Sequence, residues 1–146
     1  KAGAIGRIIA ANASIACASG GCQSETGSAA AMAASALAQL SGADPDTCLH
    51  AAAMALKNCM GLVCDPVGGL VECPCIKRNA IGAANAVISC DMALAGIISL
   101  IPFDEVVLAL KNVGLMMHPA LRETAKGGIA ATPTGKALAE KLDGRL

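Results

Sequence analysis

The stretch GLVCDPVGGLVECPCIKRN, residues 61–79, interrupts an otherwise helical chain and holds much of its unusual chemistry. It contains three cysteines, two prolines and a pair of adjacent glycines, with a basic pair near its end. Neither an amphipathic helix nor an alternating strand requires that mixture. We therefore predict an irregular segment over residues 61–75 that separates two blocks of helices.

Helical signals dominate on both sides of this segment. Asp44 can cap the free N–H groups at the start of one helix, and Asp104 can do the same for a later one. Gly42 and Gly61 are suited to end helices, and Pro102 closes the long helix before it. The predicted helices cover residues 3–16, 28–40, 45–60, 76–99, a segment that follows Asp104, and 136–142, with loops over residues 20–27 and 123–135.

The composition predicts an all-α fold, a single compact helical domain with cysteine-bearing loops. Hydrophobic residues make up 55% of the 146 residues, yet Phe103 is the one aromatic residue. Small side chains favour close-packed helices, whereas sheets usually depend on aromatic and β-branched residues. The net charge is zero, so we expect neither a basic surface for nucleic acid nor an acidic tail for a basic partner.

The start of the chain indicates a piece of a longer protein. It begins KAGAIG, without Met and inside an apolar pattern. The sequence has no signal-peptide pattern, and its longest apolar stretch, residues 92–103, is too short to span a bilayer. We expect a cytoplasmic protein that does not enter the membrane.

Eight cysteines are many for a chain of this length. A secreted disulfide scaffold is one interpretation, but free thiols or metal ligands in a reducing cytoplasm fit the apolar helical pattern better. Three of the cysteines fall in predicted loops beside glycines and are candidate ligands: Cys22, Cys64 and Cys75. The other five fit helical patterns, where cysteine acts as a small packed hydrophobic residue: Cys17, Cys48, Cys59, Cys73 and Cys90.

The spacing of the cysteines leaves two kinds of metal site open. No C-x-x-C occurs, which argues against a thioredoxin motif, a zinc ribbon and a bacterial ferredoxin run. A four-sulfur zinc site is conceivable from Cys59, Cys64, Cys73 and Cys75. Three sulfurs on a four-iron cluster would instead leave one iron open as a Lewis acid. Spacing alone does not choose between them.

Three longer stretches resemble the iron–sulfur-dependent L-serine dehydratases, most closely the α subunit of the two-subunit bacterial form. They are GGCQSETGSAAAMAASAL (20–37), GLVCDPVGGLVECPCIKRNAIGAANA (61–86) and HPALRETAKGGIAATPTGKALAEKL (118–142). The start of the chain, residues 1–15, is also similar. The resemblance identifies residues 1–146 as an iron–sulfur-cluster-binding helical catalytic domain, a fragment of a longer α subunit.

The resemblance implies a cofactor and its ligands. Cys22, Cys64 and Cys75 match the cysteines that hold a [4Fe-4S] cluster in the family, whereas Cys73 has no counterpart in the motif. The cluster would act as a Lewis acid through its open iron, in the dehydration of L-serine to pyruvate and ammonia.

The resemblance and the local sequence together suggest substrate-binding residues. Lys77 and Arg78 follow Cys75 at an expected helix N-terminus, which suits the carboxylate of L-serine, and Asn79 can hydrogen-bond to the substrate. The alternative is that the basic pair is solvated or contacts a partner subunit. The segment Glu123–Gly128 is expected to form a second wall of the pocket.

The general base is not identified by the sequence. Asp65 and Glu25 adjoin the expected ligand cysteines and are weak candidates, because burial can raise the pKa of a carboxyl group. His118 is a third candidate, although histidines such as His118 and His50 more often pack or cap helices.

The resemblance also implies a partner. In this family a serine- and histidine-rich loop on the β subunit or domain contributes to the site, and this chain lacks such a loop. We expect the chain alone to have little activity. Alternative functions are a related cluster enzyme acting on threonine or cysteine, and a structural zinc or redox iron–sulfur module.

Overall fold

The computed structural model describes residues 1–144, which form seven α-helices and no strand. The helices are α1 (Ala2–Asn12), α2 (Cys17–Gly20), α3 (Cys22–Leu40), α4 (Pro45–Asn58), α5 (Cys75–Leu94), α6 (Phe103–Met116) and α7 (Pro133–Asp143). Short 3-10 turns lie at Val67–Gly69, Pro119–Leu121 and Gly128–Ala131. The all-α prediction is confirmed. Every helix in these residues is too short or too polar to span a bilayer.

Helix α3 lies at the centre and packs against α4 and α5, which also pack against each other. Glycines allow the close approach. A Cβ added to Gly27 would lie 3.0 Å from the Cβ of Cys59, and one added to Gly82 would lie 2.8 Å from a methyl of Thr26. The buried residues between these helices are mostly alanine and cysteine. The small-residue composition therefore produces the tight three-helix packing that it predicted.

Larger side chains form a second core between α1, α4 and α6. Ile5 and Ile9 of α1 pack there with Leu56 of α4 and with Phe103 and Leu110 of α6. All five are less than a tenth exposed. This core fixes α6 beside the start of α3, where the first of the candidate ligand cysteines lies.

The predicted break over residues 20–27 is wrong. Gly21 makes the turn, with φ of +78°, and α3 already begins at Cys22. Gly27 lies inside the helix because it packs against Cys59, not because it ends a helix. The first predicted helix also ends early, at Asn12, and the four-residue α2 follows it.

Local sequence signals predicted some helix boundaries and missed others. Asp44 caps α4 as predicted, since its Oδ1 accepts a hydrogen bond of 2.8 Å from the Thr47 N–H. By contrast, α5 ends at Leu94 instead of residue 99, because Gly96 adopts φ of +85° and stops it. Asp104 does not cap α6; it lies in the first turn of that helix.

The C-terminal helix is longer than predicted. It begins at Pro133, and the Thr132 hydroxyl caps it by accepting a hydrogen bond of 3.1 Å from the Gly135 N–H. The predicted loop over residues 123–135 therefore contains a 3-10 turn and the first turn of α7.

Candidate metal centre

Four cysteine side chains meet in one buried cluster, which we call the cysteine cradle: Cys17, Cys22, Cys64 and Cys75. Cys17 and Cys22 lie on either side of the turn at Gly21, as the first residues of α2 and α3. Cys64 lies in the loop after α4, and Cys75 is the first residue of α5. The three ligands expected from the sequence therefore come together, and Cys17 joins them.

Three of the sulfur atoms are close enough to bind the same metal ion. The Sγ atoms of Cys17, Cys22 and Cys64 all lie within 4.8 Å of one another, whereas Cys75 lies outside that group. The hydrogen bond from Cys17, with others from Cys64 and Arg78, lowers the pKa of Cys22 to about 6 despite its burial. Burial raises the pKa of Cys64 to about 12. Cys22 is thus the cysteine of the cradle whose pKa is lowered by its neighbours, which favours its thiolate form.

The backbone around Cys64 is held by a segment from the end of the chain. Its N–H donates to the Leu121 carbonyl at 2.8 Å, and its carbonyl accepts from the Glu123 N–H at 2.9 Å. These two bonds make a short parallel bridge with the residue between, Arg122. Residues 121–123, which lead into the segment expected to form a second wall of the pocket, thereby fix the position of Cys64.

Gln23 holds the backbone beside Cys22. Its side chain is fully buried, and its Nε2 donates to the Leu110 carbonyl of α6 at 3.2 Å. Its Oε1 accepts from the Gly61 N–H at 2.9 Å, and its own N–H donates to the Leu62 carbonyl at 2.9 Å. The start of α3 is therefore tied both to α6 and to the loop that carries Cys64.

Arg78 and Asp65 form an ion pair at the edge of the cradle. The Arg78 Nη1 lies 2.7 Å from Asp65 Oδ1, 2.7 Å from the Val63 carbonyl and 3.8 Å from the Cys22 sulfur. The second carboxylate oxygen of Asp65 accepts a 2.7 Å hydrogen bond from the Ile129 N–H. Burial has the largest single effect and opposes the charge on Arg78, but the hydrogen bonds and charges of Asp65 and Cys22 together outweigh it and raise the pKa of Arg78. A positive charge is therefore fixed beside Cys22.

A cleft of about 330 Å³ opens between α3 and α5, and Glu25, Thr26 and Asn79 lie on its wall. The Thr26 hydroxyl donates a 2.9 Å hydrogen bond to the Asn79 side-chain oxygen, so the Asn79 amide N–H groups take no part in that bond. Glu25 Oε2 accepts a hydrogen bond of 2.7 Å from the Cys17 thiol. Lys77 is exposed on the first turn of α5.

The two histidines lie outside the cysteine cradle. The Nδ1 of His118 accepts a 3.1 Å hydrogen bond from the Ala120 N–H and caps the turn Pro119–Leu121. The Nδ1 of His50 accepts one of 3.3 Å from the Ser99 N–H. Both thus make the capping or packing contacts that the sequence suggested for them.

Cys59 and Cys73 do not join Cys64 and Cys75 in the four-sulfur zinc site considered above. All eight are free thiols. Cys48, Cys59 and Cys90 are buried in the core between α3, α4 and α5, as predicted. Cys59 accepts a hydrogen bond of 3.5 Å from the Asn85 amide there, in a different cluster from Cys64. The packing prediction is wrong for Cys73, which is exposed.

Most of the chain matches a known protein family. Residues 1–130 match the family model described as "Serine dehydratase alpha chain". The chain belongs to this family. A relative in Bacillus subtilis (strain 168), named a probable L-serine dehydratase alpha chain, is 58% identical over 143 residues, which is 98% of this chain and 48% of the relative.

Two further relatives carry similar names. One in Latilactobacillus sakei, a probable L-serine dehydratase alpha chain, is 54% identical over 99% of this chain and 69% of its own length. The L-serine dehydratase alpha chain of Peptoniphilus asaccharolyticus is 54% identical over 90% of this chain and 45% of the relative. The chain thus spans about half the length of the first and third relatives.

Sequence reasoning missed Cys17 and Gln23 as parts of this alpha-chain site. Cys17 was interpreted as a packed hydrophobic residue, but the turn at Gly21 brings its sulfur to 3.8 Å from Cys22. The five-residue spacing across a Gly-Gly pair was the available signal. Gln23 gave none, because its partners come from α6 and from the loop after α4, which are distant in sequence.

Proposed function

We propose that this chain is the cluster-binding part of an L-serine dehydratase, which converts L-serine to pyruvate and ammonia. The observation that carries the proposal is the convergence of Cys22, Cys64 and Cys75 in one buried cluster beside the Arg78 guanidinium. The names of the relatives support the substrate. Because eight thiols persist in reduced form most readily there, we propose the cytoplasm as its location.

The donor set fits an iron–sulfur cluster. Thiolates are the usual ligands of such clusters, and Cys22 is already thiolate-like at neutral pH. The nearby Arg78 offsets part of the negative charge that several thiolates bring. When bound through three cysteines, a [4Fe-4S] cluster would supply a Lewis acid able to polarise the substrate hydroxyl. Cys22, Cys64 and Cys75 are the proposed ligands.

The first turn of α5 is the proposed binding site for the substrate carboxylate. Asn79 lies on the wall of the cleft, Lys77 is exposed on the same helical turn, and Arg78 offers the guanidinium nitrogens that do not contact Asp65. Helix N-termini and guanidinium groups both favour a carboxylate. The Asn79 amide N–H groups are free to donate because its oxygen already accepts from Thr26.

Glu25 is the base that we favour among the three candidates. Both carboxylate oxygens of Asp65 are engaged, by Arg78 and by the Ile129 N–H, and His118 lies outside the cradle. Glu25 is exposed on the wall of the cleft and beside Cys17. In the proposed reaction its carboxylate takes the α-proton as the β-hydroxyl leaves as hydroxide. The aminoacrylate then tautomerises to an imine, and water hydrolyses the imine to pyruvate and ammonia.

Anaerobic reconstitution with iron and sulfide, followed by visible spectra with and without L-serine, tests the proposal. We expect a brown protein whose spectrum changes on addition of L-serine. Cys22→Ser, Cys64→Ser and Cys75→Ser should each lose the colour, whereas Cys73→Ser, the matched variant at an exposed cysteine, should keep it. A cluster retained in all four variants would contradict the ligand assignment. Turnover of threonine or L-cysteine in preference to L-serine would overturn the substrate.

A further inference from the structure

The cysteine cradle contains one thiol more than the proposed cluster needs. Cys17 is 5% exposed, and its Sγ lies 3.8 Å from that of Cys22. The Cys64 sulfur completes a triangle in which no two sulfurs are more than 4.8 Å apart. Hydrophobic packing alone does not require a thiol to lie this close to two other sulfur atoms.

The sulfur spacing matches the dimensions of a single tetrahedral ion. Zinc binds thiolate sulfur at about 2.3 Å, so that the sulfurs of a tetrahedral site lie about 3.8 Å apart. The Cys17–Cys22 sulfur distance has that value, and the Cys64 sulfur lies within 4.8 Å of both. Cys75 packs in the same buried cluster and is the remaining thiol available for the fourth position.

We propose that the cradle binds one soft divalent ion, with Zn²⁺ as the natural choice, through four thiolates: Cys17, Cys22, Cys64 and Cys75. This inference goes beyond the proposed function and does not depend on it. Because three of the four ligands are shared, the single ion and an iron–sulfur cluster exclude each other. Zinc loading therefore blocks cluster assembly in this chain.

The surroundings of the cradle suit such an ion. All four thiols are at most 9% exposed, which keeps water from competing for the metal. Arg78 lies 3.8 Å from the Cys22 sulfur and offsets part of the negative charge of a four-thiolate site. The Cys17 thiol donates a hydrogen bond of 2.7 Å to Glu25 Oε2, which helps to fix the position of the Cys17 side chain.

The test uses the whole protein, freed of iron under anaerobic conditions and titrated with Co²⁺ and then Zn²⁺. Co²⁺ reports the site through the visible bands of a tetrahedral thiolate complex, and Zn²⁺ should displace it. In Cys17→Ser we expect binding to weaken by more than about 100-fold, since even the loss of an outer-shell contact to a ligand costs 10–100-fold. Cys73→Ser, which changes an exposed cysteine, is the matched control.

X-ray absorption at the zinc edge gives a second measurement that needs no variant. Four sulfurs at about 2.3 Å support the proposal, because the other four cysteines lie outside the cradle. Three sulfurs or fewer, or Co²⁺ affinity unchanged in Cys17→Ser, overturns it. The proposed function is judged separately by cluster colour and pyruvate formation after iron and sulfide reconstitution, so that either proposal can fail alone.

Discussion

Asp65 connects three parts of the chain through a single side chain. One oxygen accepts from Arg78 of α5, and the other accepts from the Ile129 N–H near the C-terminus. Asp65 itself follows Cys64 directly and is 2% exposed. A carboxylate with both oxygens engaged in this way acts as a brace for the cradle, holding Arg78 against Cys22.

Replacing Asp65 with Asn should destabilise the fold by about 3 kcal/mol, the lower end of the range for breaking a buried ion pair. The lower end applies because the Arg78 side chain remains 17% exposed and keeps some access to water. The free energy of unfolding is to be measured by urea denaturation. Asp91→Asn, on an exposed position of α5, is the control. Equal stabilities for the two variants would mean that Asp65 is not a brace.

The 3-10 turn Gly128–Ala131 is the element that closes over Asp65. Gly128 has φ of +60°, and a Cβ added there would overlap the Asp65 carboxylate. The late glycine-rich loop therefore needs glycine for two reasons, its left-handed backbone and its close approach to a buried acid.

Gly128→Ala should therefore lower the free energy of unfolding by more than the left-handed backbone conformation alone explains. Gly69→Ala is a matched control, because Gly69 has φ of +72° and no atom within 4 Å of an added Cβ. In the control the free energy of unfolding should fall by about 1–2 kcal/mol, the usual cost of placing a residue with a Cβ in the left-handed region. Gly128→Ala should lose a further 1–3 kcal/mol, roughly the range for overpacking. Urea denaturation of both variants measures the difference, and equal losses would contradict the contact with Asp65.

The first residues of helices show where local sequence signals are enough to predict a helix boundary and where they are not. The Asp44 cap of α4 was predictable because the capping side chain and the N–H that it accepts from are three residues apart. The beginning of α3 was not, because its stabilising contacts come from Gly61, Leu62 and Leu110. Local composition around residues 20–27 is typical of a loop, and long-range hydrogen bonds to Gln23 override it.

At the scale of the whole molecule, the cradle lies where the starts of three helices, α2, α3 and α5, meet the loop after α4. The cleft beside it is open, and only part of its wall comes from charged or polar side chains. The Bacillus subtilis relative is about twice as long as this chain. A substrate pocket completed by another subunit or domain is therefore the arrangement that we propose.

The chain alone should assemble a brown cluster but form little or no pyruvate from L-serine. Adding the β subunit or domain should raise pyruvate formation at least about 100-fold, the scale on which positioned acid–base groups act. A lactate dehydrogenase-coupled assay measures the product. The Cys64→Ser chain mixed with the same partner is the control for pyruvate from other sources. Full turnover by the chain alone would show that the site needs no partner.

The all-α class, the small-residue packing and three of the four cysteines of the cradle could be predicted from the sequence. These follow from composition, helical periodicity and residues beside glycines, which are local properties of the chain. Three contacts could be seen only in the folded structure: Cys17 faces Cys22, Arg78 pairs with Asp65, and the C-terminal loop closes over that acid. Such contacts join residues from separate helices and loops, and their distances depend on how those elements pack, which no local pattern specifies.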